Sequence, residues 1–278
     1  MGRRFYSKPA DYQPVRHEAP AQWGALLDRA LTEPGRLSEC YSMWYSYSPG
    51  NQLAAMWQCM ERKIDPGPMA GYVTWQTLGR QVRKGEKALI LCRPLTFAKD
   101  KPDGNEEPDI ITRFVWKPTC FVLSQTDASP GRADYKQPEP PEWDKAAALA
   151  ALDVLERPFV AMDGSIQGYA RPTGRVLAIN PLNPHGFSTL VHELAHIILH
   201  GEADKTDRQI AEAEAESTAY IVCASLGMGE SESSRAYVQG WLAGRPFPDA
   251  SAQRVMKAAG KILKAGLPAK AEAAAEAA

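Results

Sequence analysis

The sequence predicts an α+β protein built from two domains. Some segments carry apolar residues at helical spacing and others form short strand-like runs, and a proline-rich stretch at 124–145 interrupts the two sets. A hydrophobic content of 44% with 23% charged residues is typical of a globular chain with a sizeable core. We predict a first domain at 1–125, a linker at 126–145, a second domain at 146–266 and a disordered alanine-rich tail at 267–278.

The first domain is predicted to be a small α+β unit. Helical spacing predicts helices at 22–32, 50–63 and 75–82, and apolar alternation predicts strands at 87–92 and 114–123. Thr74 is the expected N-cap of the third helix, and Gly85 is expected to end it before the strand. Four cations would then gather at one helix end: Arg80, Arg83, Lys84 and Lys87.

The second domain is predicted to begin with an alanine-rich helix at 144–155. Strands are expected near 159–162 and 176–180, and they precede a helix that contains His192. A second long helix is expected at 207–226, ending at Gly227.

Charge, cysteine content and hydropathy narrow the classes of function. Residues 1–125 carry 17 Lys+Arg against 13 Asp+Glu, and residues 126–278 carry 15 against 20. The mildly basic first part permits a polyanionic partner. The five cysteines are widely spaced without a C-x-x-C pair, which indicates reduced thiols rather than a disulfide framework. With no apolar run of signal-peptide or membrane-spanning length, we expect a cytoplasmic protein without a membrane partner.

The segment 185–200 holds four of the five histidines and contains His192-Glu193-x-x-His196 within an apolar helical pattern. Residues four apart lie on one face of a helix, so both imidazoles can point at a single ion. Glu193, next to the first histidine, can reach a water molecule at an open metal position and act as general base. The pattern therefore predicts a zinc site of the kind that performs metal-assisted hydrolysis.

A third protein ligand is expected from a second helix, where Glu212 and Glu216 lie one turn apart on one face. One of the two would bind the metal, and the other would hydrogen-bond a ligating histidine. Glu214 points away by about 200° and is expected to face solvent. His200 lies about 80° off the metal-facing line, so we expect it to cap helix carbonyls or line the cleft.

Three strings of the first domain are informative: SPGNQL at 48–53, TWQTLGRQVRKGEK at 74–87 and FVLSQT at 121–126. With them the first domain resembles the N-terminal domain of ArdC-type antirestriction proteins, and the resemblance implies binding of single-stranded DNA. The residues themselves agree with it, because Trp75 can stack on a base while its neighbours Arg80, Arg83, Lys84 and Lys87 contact phosphates. The further aromatic candidates, of which half are expected in the core, are Tyr41, Trp44, Tyr45 and Tyr47.

The second domain, with HELAH at 192–196 and AESTAYIVCASLGM at 215–228, is similar to the zincin-like domain of the same proteins and to ImmA/IrrE-type metallopeptidases. The resemblance favours Glu212 as the metal ligand and Glu216 as the residue that supports a ligating histidine. Residues 197–199 are closer to the ImmA/IrrE pattern than to the ArdC pattern.

Three hypotheses of function follow. The first is a single-stranded-DNA-binding antirestriction-type protein with a zinc metallopeptidase-like site that protects mobile-element DNA from host restriction. The second is an ImmA/IrrE-like metalloprotease that cleaves a repressor or host protein. The third is a binding protein whose metal only stabilises the fold. Imidazole and carboxylate ligands suit Zn²⁺ best but also admit Mn²⁺, Co²⁺ or Ni²⁺.

Overall fold

The fold is described by a computed structural model that covers most of the chain. The described residues are 18–33, 35–99, 109–131, 135–160, 166–201, 206–228, 240 and 247–268, with backbone alone for 97–99 and 109–111. Helices and strands are mixed along the whole described chain, which confirms the predicted α+β class.

The first half contains four helices and five strands. The helices are α1 (Trp23–Thr32), α2 (Arg36–Trp44), α3 (Pro49–Arg62) and α4 (Tyr72–Thr77). The strands are β1 (Met69–Ala70), β2 (Arg80–Val82), β3 (Leu89–Lys99), β4 (Asp109–Val122) and β5 (Thr126–Ala128). A short 3-10 turn, Leu123–Gln125, joins β4 to β5.

Three strands and four helices have their bounds within the described residues of the second half. The strands are β6 (Leu155–Glu156), β7 (Gly168–Arg171) and β8 (Val176–Ile179). The helices are α5 (Lys145–Ala151), α6 (Gly186–Leu199), α7 (Arg208–Ser225) and α8 (Asp249–Ala265).

The strands form three small sheets. β3 and β4 make a long antiparallel hairpin, and β1 pairs antiparallel with the far end of β4. β2 and β5 form a separate antiparallel pair. In the third sheet β8 lies in the middle, parallel to β6 and antiparallel to β7, so β7 is an edge strand within the described residues.

The main hydrophobic core runs from the first described helices to the last. It includes buried side chains of α1, α2 and α3 together with those of α6, α7 and α8. α7 is the central helix, and α1, α2, α6 and α8 all pack against it. The small residues Ala213, Ala215 and Ala219 let its neighbours approach closely, and every residue from 217 to 225 is buried. A helix covered in this way buries polar side chains on more than one face.

The predicted helix at 75–82 is wrong in its bounds. α4 begins after Gly71 and ends at Thr77, so Thr74 is not its N-cap. Gly79 has φ 72°, a left-handed conformation that ends the helix at little cost for glycine. Arg80–Val82 then pairs as a strand with Thr126–Ala128.

The segment 135–144 has no regular secondary structure, as its prolines predict, but it is better packed than expected. Trp143 donates a hydrogen bond from Nε1 to the Ile262 carbonyl (3.1 Å) and meets Phe187 edge to face. Gln137 donates to the carbonyls of α2 residues Ser42 and Met43. Tyr135 packs against Trp75 with ring centroids 5.4 Å apart.

Some predictions fall partly on other stretches. Of the strand expected near 159–162, residues 159 and 160 are not in a strand, and the rest lies outside the described residues. In the predicted tail, Leu267 is buried, and 269–278 lies outside the described residues. Among the described helices, none is both long and apolar enough to cross a membrane.

Candidate functional site

The metal motif lies on α6, whose apolar residues fix which face is turned inward. Leu190, Val191, Leu194, Ala195 and Ile197 are buried in the core. This leaves the side chains at 192, 193 and 196 on the partly accessible side. Asp207 is the N-cap of α7, and its side chain accepts a hydrogen bond from the Gln209 N–H at 2.9 Å; α7 packs along α6.

Three donor atoms from these two helices converge. His192 Nε2 and His196 Nε2 are 3.1 Å apart, and Glu212 Oε2 lies 3.5 Å from the first and 3.6 Å from the second. Ligands at the usual zinc distance of about 2.0–2.1 Å in a tetrahedron are roughly 3.3–3.4 Å from one another. The triangle therefore fits one tetrahedral divalent ion with its fourth position open. Among the described residues, the same three form a cluster able to hold a metal.

Glu216 supports His192. It lies one helical turn after Glu212, on the same face of α7. Its Oε2 lies 3.2 Å from His192 Nδ1, the ring nitrogen opposite the convergent one. Burial by itself lowers the pKa of His192, but hydrogen bonds to Glu212 and Glu216 outweigh it and raise the pKa to about 9. The hydrogen bonds from His192 and His196 hold the pKa of Glu212 well below its usual range.

Glu193 lies beside the convergent donors without being one of them. Burial raises the pKa of Glu193, and the neighbouring imidazoles of His192 and His196 act in the opposite direction. The backbone N–H of Ala170, on the edge strand β7, is close enough to the Glu193 carboxylate to lower its pKa. The edge strand therefore lies beside this carboxylate.

The expectation that Glu214 faces solvent is wrong, because its side chain is 0% exposed. Residues at the end of α6 and on α8 cover it. Glu214 Oε2 lies 3.0 Å from His200 Nε2 and 3.3 Å from the Arg254 guanidinium. His200, which ends α6, also places Nδ1 3.0 Å from His196 Nδ1.

The predicted DNA-stacking role of Trp75 is wrong, because its indole is 0% exposed. Nε1 donates to the Phe121 carbonyl at 2.8 Å, and the ring packs with Ala70 and Val82 in a small second core. No face of the ring is available to a base. Of the other aromatic candidates, Tyr41 and Trp44 are buried and Tyr45 and Tyr47 half-buried.

The four predicted cations have different surroundings. Arg80 is half-buried and donates from Nε to Thr126 Oγ1 (2.8 Å), which holds β2 to β5. Arg83 forms ion pairs with Glu86 (2.9 Å) and Asp127 (3.5 Å). Lys84 and Lys87 are exposed around a turn in which Gly85 has φ 93°. The two lysines are therefore the cations most accessible to a polyanion.

The sequence analysis missed Tyr72, which is 43% exposed and begins the helix that carries Trp75. Its hydroxyl accepts a hydrogen bond from Gln81 Nε2 at 3.0 Å, which places the ring beside β2. Helical spacing could not have separated Tyr72 from Trp75, since residues three apart share one face of a helix. Arg254 was also missed, since no motif surrounds it.

The fold and the site define an α+β protein with a metallopeptidase-like helix pair. Residues 32–117 match the family described as the N-terminal domain of anti-restriction factor ArdC. Residues 149–227 match the family described as the IrrE N-terminal-like domain, a group of M78 peptidases. The chain thus combines a segment similar to the ArdC N-terminal domain with a later segment similar to the IrrE-like metallopeptidase domain.

Two solved structures and one curated relative are similar to this chain. The Mn(II)-bound crystal structure of the antirestriction protein ArdC from the R388 plasmid aligns with a TM-score of 0.50 and 22% identity, covering 88% of this chain and 97% of that one. The metal-free structure of the same protein gives 0.49 and 23%, covering 88% and 94%. The uncharacterized protein pXO2-81 of Bacillus anthracis is 26% identical over 85% of this chain. The chain spans 49% of the length of that relative.

Proposed function

We propose that this chain is a single-stranded-DNA-binding, antirestriction-type protein with a zinc metallopeptidase-like site, which protects mobile-element DNA from host restriction. The match of residues 32–117 to the ArdC N-terminal domain carries the DNA-binding and antirestriction part. The convergence of three donor atoms on α6 and α7 carries the metal part. The R388 protein that shares the fold is named for antirestriction and was crystallised with Mn(II).

His192, His196 and Glu212 would hold the ion, and Glu216 would fix the His192 tautomer that leaves Nε2 free. Two imidazoles and one carboxylate form a donor set that suits zinc, with manganese as the alternative. A divalent ion held there supplies Lewis acidity, which polarises a carbonyl and makes water a stronger acid. Glu193 accepts a proton from water on its carboxylate and returns it to a leaving group. The Ala170 N–H lies beside that carboxylate.

Measurements of metal content and metal affinity test the metal-binding part of the proposal. The protein is purified without chelator, its metals are measured by mass spectrometry, and Zn²⁺ and Mn²⁺ affinities are measured by competition with a fluorescent chelator. We expect one zinc per chain and tighter binding of Zn²⁺ than of Mn²⁺. Tighter binding of Mn²⁺ would change the metal assignment, and no binding of either ion would overturn the site.

The DNA interface is proposed at the turn that carries Lys84 and Lys87, with Tyr72 beside it. Both lysines are exposed, whereas Arg80 is engaged with Thr126 and Arg83 with two carboxylates. Lysines that track phosphates and an aromatic face that stacks on a base are what sequence-independent single-strand binding requires. Arg83 adds charge to this surface while it braces the turn.

Fluorescence anisotropy tests the DNA-binding part of the proposal. It is measured with a labelled single strand and with its duplex, across a salt series. We expect tighter binding to the single strand, weakening as salt rises. The variant Lys84→Ala/Lys87→Ala should bind more weakly, whereas Lys257→Ala/Lys261→Ala on α8, with the same charge change, should bind like wild type. Equal loss in both variants would mean a general charge effect, and no binding at low salt would overturn the DNA part.

A second candidate function is a metalloprotease that cleaves a repressor or host protein. The edge strand β7 favours it, since its Ala170 N–H reaches Glu193 and an extended peptide can pair with such an edge beside the reacting groups. The match of residues 149–227 to the M78 peptidase family favours it as well. In this function the N-terminal domain would select the protein target.

Glu193→Gln separates the enzymatic functions from a metal that only stabilises the fold. An enzyme is expected to lose cleavage of a casein or candidate-repressor substrate while it keeps zinc, folding and DNA binding. If the metal is structural, Glu193→Gln changes little, and His192→Ala or His196→Ala lowers the melting temperature to that of the chelator-treated protein.

A further inference from the structure

The two histidines of the motif are supported in different ways. His192 Nδ1 meets the Glu216 carboxylate directly, at 3.2 Å. His196 Nδ1 meets no carboxylate, but lies 3.0 Å from His200 Nδ1. His200 Nε2 in turn lies 3.0 Å from Glu214 Oε2, and the same oxygen is 3.3 Å from Arg254 Nη2. Four residues from three helices thus form one series of contacts that ends on α8.

Binding of a metal by His196 would fix the direction of every hydrogen bond in this series of contacts. If His196 offers the Nε2 lone pair to a metal, its proton is on Nδ1 and must be donated to His200 Nδ1. His200 then carries its proton on Nε2 and donates it to Glu214. Glu214 must accept, as an ionised carboxylate does, and Arg254 donates to it. The reverse direction would put a proton on His196 Nε2, where it would point at the other donors.

The burial of Glu214 distinguishes this series of contacts from contacts at the protein surface. Glu214 has a side chain that is 0% exposed, and its Oε1 has no hydrogen-bond partner among the described residues. A buried carboxylate is costly unless it is paired, so Arg254 and His200 offset the cost of keeping it there. Arg254 also donates to the Leu199 carbonyl at 2.9 Å. It therefore holds the end of α6, where His200 lies, against α8.

We propose that His200, Glu214 and Arg254 are positioning residues that hold His196 in the tautomer and orientation that bind metal. The proposal rests on the metal site proposed above. It makes metal affinity depend on α8, a helix that supplies no ligand and that packs against α1 and α3 of the first half as well as against α7. Support of this kind typically contributes about 10–100-fold to metal affinity.

Competition for Zn²⁺ with a fluorescent chelator tests the proposal on the full chain. His200→Phe keeps a ring but removes both nitrogens, and we expect an affinity loss of roughly 10–100-fold. His200→Asn offers a carbonyl oxygen near the Nδ1 position and should recover most of that loss. Glu214→Gln keeps the shape without the charge and should lose several-fold. Equal losses for His200→Phe and His200→Asn, or no loss in either, would overturn the proposal.

Arg254 has a matched control on the same helix. Arg254→Met should weaken Zn²⁺ binding, whereas Lys257→Met, which removes one positive charge a turn away, should not. Thermal unfolding of the metal-free variants shows whether each one folds, and Glu214→Gln remains informative if His200→Phe does not. Zinc affinity in Arg254→Met equal to that of wild type would remove α8 from the proposal.

Histidine tautomers in the metal-free protein give a readout independent of metal loading. With ¹⁵N-labelled histidine, we expect the proton of His196 on Nδ1 in wild type and shared between both nitrogens in His200→Phe. An unchanged tautomer in that variant would contradict the proposed role. A wild-type protein that binds no Zn²⁺ would instead overturn the proposed metal site, so the two failures are distinguishable.

Discussion

The metal centre and the basic turn differ in how their functional side chains are held. At the metal centre each group has a neighbour that positions it or lies against it: Glu216 holds His192, His200 holds His196, and the Ala170 N–H lies beside Glu193. At the basic turn Lys84 and Lys87 extend into solvent without such supports. A pre-organised site loses function steeply when one group is removed, whereas a flexible charged surface loses it gradually and responds to salt.

Trp75 tests this comparison, because it lies next to the basic turn while its side chain is held as firmly as the metal ligands. We expect Trp75→Ala to lower the free energy of unfolding by about 3–5 kcal/mol, since a buried ring is replaced by a cavity. Chemical denaturation of the two proteins measures it. Trp75→Phe should lose much less, and its single-strand affinity, measured where it is folded, should equal that of wild type. A stable Trp75→Ala protein that fails to bind DNA would restore the stacking role.

Loss of a ligand should have the next largest effect. His196→Ala removes one of three protein donors, and we expect zinc affinity to fall by more than the roughly 10–100-fold expected for a supporting residue. The chelator competition assay measures it, with the exposed His185→Ala as the matched control. Single-strand binding should remain if the two regions act independently. A loss of both functions in His196→Ala would show that the metal also organises the DNA surface.

The ligand geometry could be predicted because it is local. His192 and His196, and likewise Glu212 and Glu216, are one helical turn apart, so their side chains share a face wherever the helices lie. Burial of Glu214 could not be predicted in this way. It depends on α8, which begins more than thirty residues further along the chain and carries no motif at Arg254. The same limit applies to His200, whose partner is Glu214.

The first half shows a second limit of local reasoning. Leu89–Lys99 and Asp109–Val122 extend the predicted strands, and Pro49–Arg62 agrees with the predicted helix within a residue at each end. The helix expected at 75–82 failed because three residues, Arg80–Val82, gain hydrogen bonds from a strand more than forty residues away. Short apolar segments are compatible with either structure until such a partner is known. Trp75 was misplaced for the same reason.

Glu216 tests whether the metal centre is fixed as tightly as its contacts indicate. Glu216→Gln keeps the length of the side chain but replaces the carboxylate with an amide at His192 Nδ1. We expect Zn²⁺ affinity to fall by about tenfold, the low end for such support, because the amide oxygen still accepts a hydrogen bond. Glu216→Ala should fall further. Equal affinities in all three proteins would mean that the His192 ring is held by packing alone.

Tyr72 should give the smallest effect, because it belongs to the surface that is not pre-organised. Its ring is 43% exposed, and its hydroxyl is held by Gln81. Stacking on one base contributes about 1–3 kcal/mol, and we expect Tyr72→Ala to lose about 1 kcal/mol, or roughly fivefold in single-strand affinity. Tyr72→Phe should bind like wild type, since stacking needs the ring and not the hydroxyl, and Phe114→Ala, at an exposed aromatic on β4, is the matched control.

Because stacking releases no counterions, the salt slope should stay that of wild type in Tyr72→Ala and become shallower by about 1.4 in Lys84→Ala/Lys87→Ala, at about 0.7 per phosphate contact. Loss of affinity in Phe114→Ala but not in Tyr72→Ala would move the bases from the turn to the β3–β4 hairpin.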